Sequence, residues 1–357
     1  MSRRRVPTSG TLGEMAMGDK PGAQGGRRAA TLAEVAELAK VSEITVSRII
    51  RNKGPIAAAT RERVMAAVRA VGYVPNKVAG SLASADSNLM GVILPSLSNI
   101  VFPEVLRGVH DALGASGYQP VMGVTDYYMA AEEKLVRSLL AWKPAAMIIA
   151  GFDHTEATRR MLLNSGVRVA ELMDIEAPPI DIAVGLSHRR AGYDSGKYLL
   201  SRGYRRFGYV GHDWIRDRRA LLRYEGFCQA LMETGSRLQA QAIFDGPSST
   251  RVGRDMLADL LQRSPDIDAV VFSNDDMAVG GVFHCLGAGI KPREELALFG
   301  FNGLDIGQSL PLPLSTIRSN RYLIGRLAVE KILESSRRPP EPIVIDTGYD
   351  IVAGATA

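Results

Sequence analysis

Four residues of one short segment have side chains suited to contacting a nucleic acid. They are Glu43, Ile44, Ser47 and Arg48. The apolar residues of the same segment recur at helical spacing, so these four fall on the opposite, exposed face. Arginine can bond a guanine edge with two hydrogen bonds, isoleucine can contact a thymine methyl group, and serine binds phosphate oxygens. The pattern indicates DNA contact, although a solvated helix face is an equally good interpretation of this segment alone.

A second group of polar residues follows apolar segments that are typical of strands. Asp174 follows VRVAEL, Asn274 and Asp275 follow VVFS, and Asn302 follows ALFGF. Ligands of parallel α/β sheets bind beyond the carboxyl ends of the strands, where carboxylate and amide groups can hold sugar hydroxyls. Helix N-capping is the alternative at these positions, and for Asn274 it is equally good.

No pattern of catalysis or metal binding accompanies these residues. Asp275 and Asp276 are adjacent at a helix start and therefore point in different directions. The sequence has no nucleophile elbow, no G-x-x-x-x-G-K-[ST] and no G-x-G-x-x-G after a strand. The five histidines are scattered, and Cys228 and Cys285 fit no disulfide or metal pattern. We expect no enzyme, no metal and no other cofactor, and two buried free thiols.

The first group must be positioned by a small helical unit. Thr31 and Glu34 have the form of a capping box, and Ser42 can cap a second helix. Two helices this short need a third to close their apolar core, and residues 60–70, ended by Gly72, supply it. This arrangement is a helix-turn-helix, whose second helix fits the DNA major groove.

The second group must be positioned by a larger region in which strands and helices alternate. A first series of strands is predicted at 89–94, 118–123, 145–150 and 167–172, and a second near 181–185, 207–210, 241–244, 269–272 and 296–299. Helices are predicted near 103–116, 130–141, 155–164, 188–202, 219–233, 250–262 and 275–287. Such alternation predicts parallel sheets covered on both faces. Two series predict two doubly wound subdomains with a ligand crevice between them.

Charge divides the chain in the same way. Residues 1–85 hold 14 Lys and Arg against 6 Asp and Glu, a net charge of +8, whereas the rest of the chain has a net charge of −3. A basic end on a nearly neutral body is typical of an attached nucleic-acid-binding module. No apolar run approaches the roughly 18 residues that span a bilayer, and the N-terminal segment lacks the pattern of a secretory signal. We therefore expect a cytoplasmic protein without a membrane partner.

Two ordered sets of motifs resemble the LacI/GalR family of transcriptional regulators. The first set is V-A-x-x-A-x-V-S-x-x-T-V-S-R, then T-R-E-R-V, then Y-x-P-N. The second set is GVILPSLSN, VFPEVLRGV, ELMDIEAPPIDIAVG, FSNDDMAVGG and FGFNGLDIGQ. Within the family, the second set is most similar to the gluconate-operon repressors. The resemblance covers about residues 31–350.

The resemblance implies an all-α helix-turn-helix headpiece followed by an α/β periplasmic-binding-protein-like core of two doubly wound parallel-sheet subdomains. The implied parts are a disordered basic tail (1–30), the headpiece (31–75), a hinge helix and linker (76–86), and an effector-binding and dimerisation core (87–357). It also implies a homodimer that binds a pseudo-palindromic operator in double-stranded DNA. The hinge helix is expected to order on DNA, with Leu82 wedged into the minor groove.

The resemblance extends the set of DNA-contacting residues beyond the first segment. Glu43, Ile44 and Arg48 are the candidates for reading bases. Ser47, Lys53, Arg61 and Lys77 are the candidates for binding phosphates. The complete expected set is Thr31, Ser42, Glu43, Ile44, Thr45, Ser47, Arg48, Lys53, Arg61, Asn76, Lys77, Ala79 and Leu82.

The resemblance also implies an effector cleft. Arg223, in RALLRYEGF, matches the position where the family places an arginine, and the run Arg216, Arg218 and Arg219 lies near the same edge. Many members have an aspartate where this chain has Asn302, and the loss of that charge favours an anionic ligand. The expected effector set is Phe102, Asp174, Arg223, Asn274, Asp275 and Asn302.

The predicted function is therefore repression of sugar-acid catabolism genes, with release from the operator by gluconate or 2-ketogluconate. Two alternatives stay open: a regulator of the same family that responds to a neutral sugar or another metabolite, and a sugar-binding receptor. A receptor agrees poorly with a DNA-binding headpiece and with the lack of a signal sequence.

Overall fold

The computed structural model describes residues 30–51, 54–74 and 87–357. The chain divides into two compact units, Met1–Leu82 and Ala83–Ala357. Several predictions fall outside the described residues: the tail before Ala30, the hinge helix, and the DNA-contact candidates Lys53, Asn76, Lys77, Ala79 and Leu82.

The described part of the first unit, residues 30–51 and 54–74, contains three short helices, each with a local reason for its bounds. They are α1 (Leu32–Ala39), α2 (Glu43–Ile50) and α3 (Ala58–Val71). Thr31 and Glu34 form the predicted capping box of α1, and the Ser42 side chain caps α2. Gly72 ends α3 with a φ of 68°, a left-handed conformation that glycine adopts without strain. Ala57, before α3, provides no side-chain cap.

The three helices share one apolar core, as the sequence predicts. The fully buried or nearly buried members are Val35, Ala36, Ala39, Val46, Ile49, Val64 and Ala67. A hydrogen bond also ties α3 to the end of α1, since Arg63 Nε donates to the Ala39 carbonyl at 3.0 Å. Because α1 and α3 cover the apolar stripe of α2, the opposite face of α2 stays outward.

The second unit contains two six-stranded sheets. The strands are β1 (Leu89–Leu94), β2 (Gln119–Val124), β3 (Ala146–Ala150), β4 (Arg168–Asp174), β5 (Ile182–Leu186), β6 (Phe207–His212), β7 (Leu238–Phe244), β8 (Ala269–Phe272), β9 (Ala297–Asn302), β10 (Ser315–Ser319), β11 (Ile343–Asp346) and β12 (Tyr349–Val352). The strand order is β11-β5-β4-β3-β1-β2 in the first sheet and β12-β10-β9-β8-β6-β7 in the second. Central strands such as β1 and β3 are apolar and buried along almost their whole length, as expected for parallel strands covered on both faces.

Helices cover both sheets. They are α4 (Val101–Leu113), α5 (Met129–Ala141), α6 (Glu156–Asn164), α7 (His188–Ser201), α8 (Arg218–Glu233), α9 (Thr250–Arg263), α10 (Asp275–Ala288), α11 (Asp305–Gln308) and α12 (Arg321–Glu334). A 3₁₀ turn, Gly114–Ser116, follows α4. Among the described residues, no helix combines the length and apolarity needed to cross a membrane. The predicted core of two doubly wound subdomains is confirmed.

The assignment of strands to the two subdomains differs from the prediction in one place. The strand near 181–185 was placed in the second series, but β5 pairs with β4 and β11 in the first sheet. The chain therefore crosses between the sheets three times: after β5, after β10 and after β11. β12 pairs antiparallel with β10, so the second sheet is not purely parallel. The sequence pattern predicts no strand at β10, β11 or β12, because each is only four or five residues long and contains an arginine or an aspartate.

One helix crossing positions the cleft. A Cβ atom at Gly192 of α7 would collide with the Arg223 carbonyl of α8, and one at Gly226 would collide with the Arg189 carbonyl of α7. Only glycine lets the two backbones approach this closely. As a result, the first turn of α7 lies against the segment of α8 that carries Arg223.

The cysteines are both free. Cys285 is buried, as predicted, whereas Cys228 is only half-buried. No cluster of three or more metal-ligating side chains occurs within 30–51, 54–74 and 87–357.

Candidate nucleic-acid interface and ligand cleft

The outward face of α2 carries the predicted base-reading side chains. Ile44 is 72% exposed, and Glu43 and Arg48 are also exposed. Together with Ser47 and Leu32, they line one shallow surface depression. Ser47 accepts a hydrogen bond from Arg51, which places a second guanidinium beside this face. The face therefore offers a donor fork, a carboxylate acceptor and a methyl-sized apolar contact, which is the set of groups that distinguishes base pairs in the major groove.

The remaining described candidates of the headpiece lie at helix starts. The Ser42 hydroxyl accepts from the Thr45 amide at 3.2 Å and lies 2.9 Å from the Thr45 hydroxyl. Thr31 lies at the start of α1 and accepts from the Glu34 amide at 3.3 Å. Arg61 is half-buried in the first turns of α3. Backbone N–H groups at helix starts favour phosphate, so these positions suit contacts that set the position of the protein on DNA.

Arg223 is the central cation of the core. It is 8% exposed, and its guanidinium carbon lies 4.4 Å above the Phe301 ring. Its Nη1 donates to His188 Nδ1 at 3.1 Å. Its Nε is buried and has no hydrogen-bond partner. Burial lowers the pKa of Arg223, but an arginine stays protonated at neutral pH. A buried N–H donor without a hydrogen-bond partner costs free energy. A ligand acceptor that bonds this edge of the guanidinium removes that cost.

A second arginine lies one helical turn before the first. Arg219 Nε donates to Asp217 Oδ1 at 3.2 Å, and its guanidinium carbon lies 5.7 Å from the Phe102 ring. Burial alone would raise the pKa of Asp217, but Arg219 and Arg223 outweigh it and hold that pKa well below its ordinary value. Asp217 is therefore a carboxylate that compensates only one of the two cations.

Two buried histidines beside these groups are neutral. Burial and the neighbouring Arg223 lower the pKa of His188 well below its ordinary value, and burial also lowers the pKa of His212. His212 Nδ1 lies 2.8 Å from the Ser273 hydroxyl, and its Nε2 lies 3.8 Å from Asp217. The helix side of the cleft thus has two positive charges and one negative charge.

Asp174 is the acidic group on the opposite wall. It ends β4 and is buried, and burial raises its pKa. Its Oδ1 accepts from the amides of Ile175 at 2.7 Å and Glu176 at 3.1 Å. The preceding residue, Met173, has a φ of 78°. This unusual backbone conformation turns the chain sharply at the end of the strand.

The remaining predicted effector residues differ in their surroundings. Phe102 is fully buried in α4 and contacts Arg219, so it lies at the cleft. Asn302 is half-buried at the end of β9 with a φ of 120°, and its carbonyl accepts from Arg321. Asn274 caps α10, since its Oδ1 accepts from the Met277 amide at 3.1 Å.

Asp275 is enclosed by the protein. It is fully buried, and it accepts from the Leu304 amide at 2.7 Å and from the Thr316 hydroxyl at 2.6 Å. Burial raises the pKa of its carboxyl to about 6. Both of its oxygens are therefore used to hold the loop after β9 and strand β10. This arrangement gives Asp275 a supporting position behind the cleft.

The segment around the start of α8 is rich in arginine and contacts the first subdomain. The Arg216 guanidinium lies 5.5 Å from the Tyr128 ring, and Arg218 Nε lies 3.9 Å from Asp153 Oδ1. With the contact between Arg219 and Phe102, these interactions join the two subdomains along one edge of the cleft.

Sequence reasoning did not identify several cleft residues. These are His188, His212, Asp217, Ser273 and Phe301. The polar ones occupy strand ends or helix starts, the same signal that singled out Asp174, but a lone histidine there does not distinguish a cleft group from a cap. The pairing of His188 with Arg223 depends on the α7–α8 crossing and has no signature in the sequence.

The comparisons with known proteins agree with this architecture. Residues 31–76 match the family described as "Bacterial regulatory proteins, lacI family". Residues 87–349 match "Periplasmic binding proteins and sugar binding domain of LacI family". The chain is 38% identical over 326 residues to the HTH-type transcriptional regulator GntR of Pseudomonas aeruginosa, covering 90% of this chain and 94% of that protein.

Other relatives point the same way. GntR of Escherichia coli K12 is 33% identical, with 91% of this chain and 98% of that protein covered. A crystal structure of a LacI-family transcriptional regulator from Silicibacter pomeroyi has a TM-score of 0.87 and 44% identity, and the match covers 91% of this chain and 98% of that one. The resemblance to the gluconate-operon branch is confirmed by the first two relatives. The chain belongs to the lacI family of bacterial regulatory proteins, which are DNA-binding transcriptional regulators and not enzymes.

Proposed function

We propose that this regulator represses sugar-acid catabolism genes and is released from its operator by gluconate or 2-ketogluconate. The observation that carries the proposal is the distribution of charge in the cleft. The buried guanidinium of Arg223, with a donor edge free of partners, and the partly buried guanidinium of Arg219 share one wall with a single carboxylate, and Asp174 ends the opposite wall. A ligand with an anionic end and a hydroxyl-bearing chain complements both walls.

The proposed ligand pose follows from the donors. A planar carboxylate binds Arg223 at its Nε edge, where it supplies the missing acceptor. The second charge of the wall comes from Arg219, whose single bond to Asp217 leaves further N–H donors for the ligand. Asp174 has one oxygen engaged by backbone amides and accepts ligand hydroxyls with the other. Phe102 and Phe301 hold the two guanidinium planes in place through cation–π contacts.

The proposed DNA-bound form is a homodimer in the cytoplasm. Two headpieces occupy successive major grooves of a pseudo-palindromic operator, with the α2 face of each directed at base edges. Arg48 reads a guanine, Glu43 and Ile44 make the neighbouring contacts, and the helix-start residues bind phosphates. The relatives named as transcriptional regulators support this part of the proposal.

Linkage sets what the effector must do. A ligand that weakens operator binding must bind one arrangement of the two subdomains more tightly than the other. A coupling free energy of about 1–3 kcal/mol, which is typical of allosteric proteins, lowers operator affinity by about 5–150-fold. The cleft edge formed by Arg216, Arg218 and Arg219 is one place where the two subdomains touch, so ligand-dependent closure changes contacts there.

The test is a ligand panel on the full chain. Thermal unfolding is followed with millimolar gluconate, 2-ketogluconate, the neutral sugar glucose and a nucleobase. The proposal expects both acids to raise the melting temperature and the neutral compounds to leave it unchanged. The opposite pattern would reject the sugar-acid assignment and leave the DNA-binding regulator intact.

Variants of the central cation sharpen the test. Arg223→Ala should abolish the shift, and Arg223→Lys should retain only part of it, because lysine keeps the charge but loses the two-donor fork. Arg202→Ala is the matched control: it removes an exposed arginine that stacks on Tyr198, elsewhere in the same subdomain. All three should bind operator as the unmodified protein does.

A further inference from the structure

His188 lies at a junction that the effector proposal does not use. It is the first residue of α7, directly after the chain leaves β5 of the first sheet, and α7 packs on α8 of the second subdomain through the Gly192–Gly226 crossing. The ring is buried, and its centroid lies 5.7 Å from that of Phe301. A polar ring in such a place must have its nitrogens satisfied by specific partners.

The two ring nitrogens of His188 contact opposite sides of the cleft. Nδ1 lies 3.1 Å from Arg223 Nη1, in the second subdomain. Nε2 lies 2.7 Å from the Met173 carbonyl, in β4 of the first subdomain. An arginine only donates and a carbonyl only accepts, so Nδ1 must be the acceptor and Nε2 must carry the hydrogen. The imidazole is therefore a directed bridge with one defined tautomer.

The first-subdomain end of this bridge is a tightly bonded turn. Met173 has a φ of 78°, and the next residue, Asp174, bonds the amides of Ile175 and Glu176. The Glu176 carboxylate in turn accepts from the Arg189 amide at 2.8 Å, in the first turn of α7. The turn after β4 and the start of α7 thus form one bonded unit that contacts the Arg223 guanidinium through the His188 imidazole.

We propose that His188 is a positioning residue that couples the occupancy of Arg223 to the arrangement of the two subdomains. It acts in two ways. Its Nδ1 fixes the orientation of the guanidinium, so that the Nε edge faces the ligand. Its Nε2–H transmits any displacement of that guanidinium to the turn after β4. This inference rests on the proposed effector site and adds a residue whose Nδ1 affects ligand affinity and whose Nε2–H affects the response.

Two amide substitutions separate the two arms of the bridge. In His188→Asn the side-chain amide occupies the place of Nδ1, so the acceptor for Arg223 is kept and the donor to Met173 is lost. In His188→Gln the amide reaches the place of Nε2, so the donor to Met173 is kept and the acceptor for Arg223 is lost. His284→Asn is the matched control, because this half-buried histidine lies near the C-terminal end of α10 and is not one of the cleft residues.

The experiment measures gluconate binding by calorimetry and operator affinity by mobility shift, with and without gluconate. For His188→Asn we expect gluconate affinity within about threefold of the unmodified protein and a loss of most of the 5–150-fold release. For His188→Gln we expect gluconate affinity to fall by about tenfold or more, as for loss of a hydrogen bond to a charged group. The control should keep both properties. Full release in His188→Asn, or unchanged gluconate affinity in His188→Gln, would overturn the proposal.

A measurement without effector keeps this inference separate from the sugar-acid assignment. If no sugar acid affects the unmodified protein, the proposed function fails, and His188 is then tested by amide hydrogen exchange in the ligand-free chain. Exchange of the Ile175 and Glu176 amides should speed up at least threefold in His188→Asn, because the turn has lost one anchor, and should stay unchanged in His188→Gln and His284→Asn. Equal exchange in all of these proteins would contradict the bridge. The same exchange data show whether each variant is folded.

Discussion

Individual side chains account for two kinds of binding: base reading by the headpiece and, in the proposed function, binding of an anionic effector in the cleft. In the headpiece, an apolar core turns one face of α2 outward and leaves Arg48 exposed on it. In the α/β unit, burial and neighbouring charges affect two pKa values. The pKa of Asp217 is lowered, so the aspartate stays charged, and the pKa of His188 is lowered, so the histidine stays neutral. The sequence predicts the types of these residues, but their charge states depend on neighbours that only the fold brings together.

Arg48→Ala tests the base-reading role. Loss of a bidentate contact to guanine should reduce discrimination between operator and random DNA by about 1–3 kcal/mol per half-site. Competition mobility shifts at matched salt measure this difference. Arg69→Ala is the control, since it removes an equal charge from an exposed position of α3. If the Arg48 variant selects its operator as well as the Arg69 variant does, Arg48 does not read bases.

His154 predicts a dependence of stability on pH. The ring lies 2.7 Å from Glu132 and 3.3 Å from Glu171. Burial alone would lower its pKa, but the two carboxylates outweigh it and raise the pKa to about 9. A pKa above the unfolded value of about 6.5 means that the stabilisation is complete below pH 6.5 and is lost as pH rises through 9. The expected loss in the free energy of unfolding is about 3 kcal/mol.

Denaturant unfolding of the full chain at several pH values measures this effect. His154→Gln should be less stable at pH 6.5 and should show a flatter profile up to pH 9. His110→Gln, a change at an exposed histidine of α4, should keep the profile of the unmodified protein. A steep decline that persists in His154→Gln would show that another group is responsible.

Helices and strands were predicted well where apolar periodicity was strong and poorly where it was weak. The first nine strands and the helices up to α10 lie close to their predicted bounds because each has a continuous apolar run or stripe. β11 and β12 are four-residue edge strands. α12 lies between β10 and β11 in the chain and packs on β4 and β5 of the first sheet, and the sequence pattern predicts no helix there. The points where the chain crosses between the two sheets are determined by long-range packing. The sequence pattern therefore predicted β5 in the second series of strands, although it belongs to the first sheet.

The close crossing of α7 and α8 depends on Gly226. Gly226→Ala adds a methyl group that collides with the Arg189 carbonyl, so the helices must separate. We expect a loss of about 2–3 kcal/mol in the free energy of unfolding, as for overpacking against backbone, and weaker effector binding because His188 and Arg223 move apart. Thermal unfolding and calorimetry measure the two effects.

Gly287→Ala is the control for this change. It lies in α10, where an added Cβ meets no atom within 4 Å. Alanine there should stabilise the protein by about 0.5–1 kcal/mol because of its higher helix propensity. Equal effects of the two substitutions would mean that the close approach of α7 and α8 is unimportant.

For the molecule as a whole, the proposed function requires that ligand occupancy in the α/β unit alters DNA binding by the headpiece. The family matches establish both parts of the chain, 31–76 and 87–349, in one regulator. The sequence predicts the effector only as an anion. That prediction depends on Asn302, where many family members have an aspartate, and on Arg223, which matches an arginine of the family. The two neighbouring cations Arg219 and Arg223, the partner-free Nε of Arg223 and the opposing Asp174 give that prediction its physical basis.

The most direct test is effector-dependent release of operator by the full chain. A palindromic operator is first selected from randomised DNA, and its affinity is then titrated by mobility shift with and without 1 mM gluconate or 2-ketogluconate at about 0.15 M salt, because affinity for DNA depends strongly on salt. We predict a sequence-selective complex whose affinity falls by about 5–150-fold with at least one acid, and no such fall in Arg223→Ala. Operator binding that neither acid weakens, while a neutral sugar does, would contradict the account.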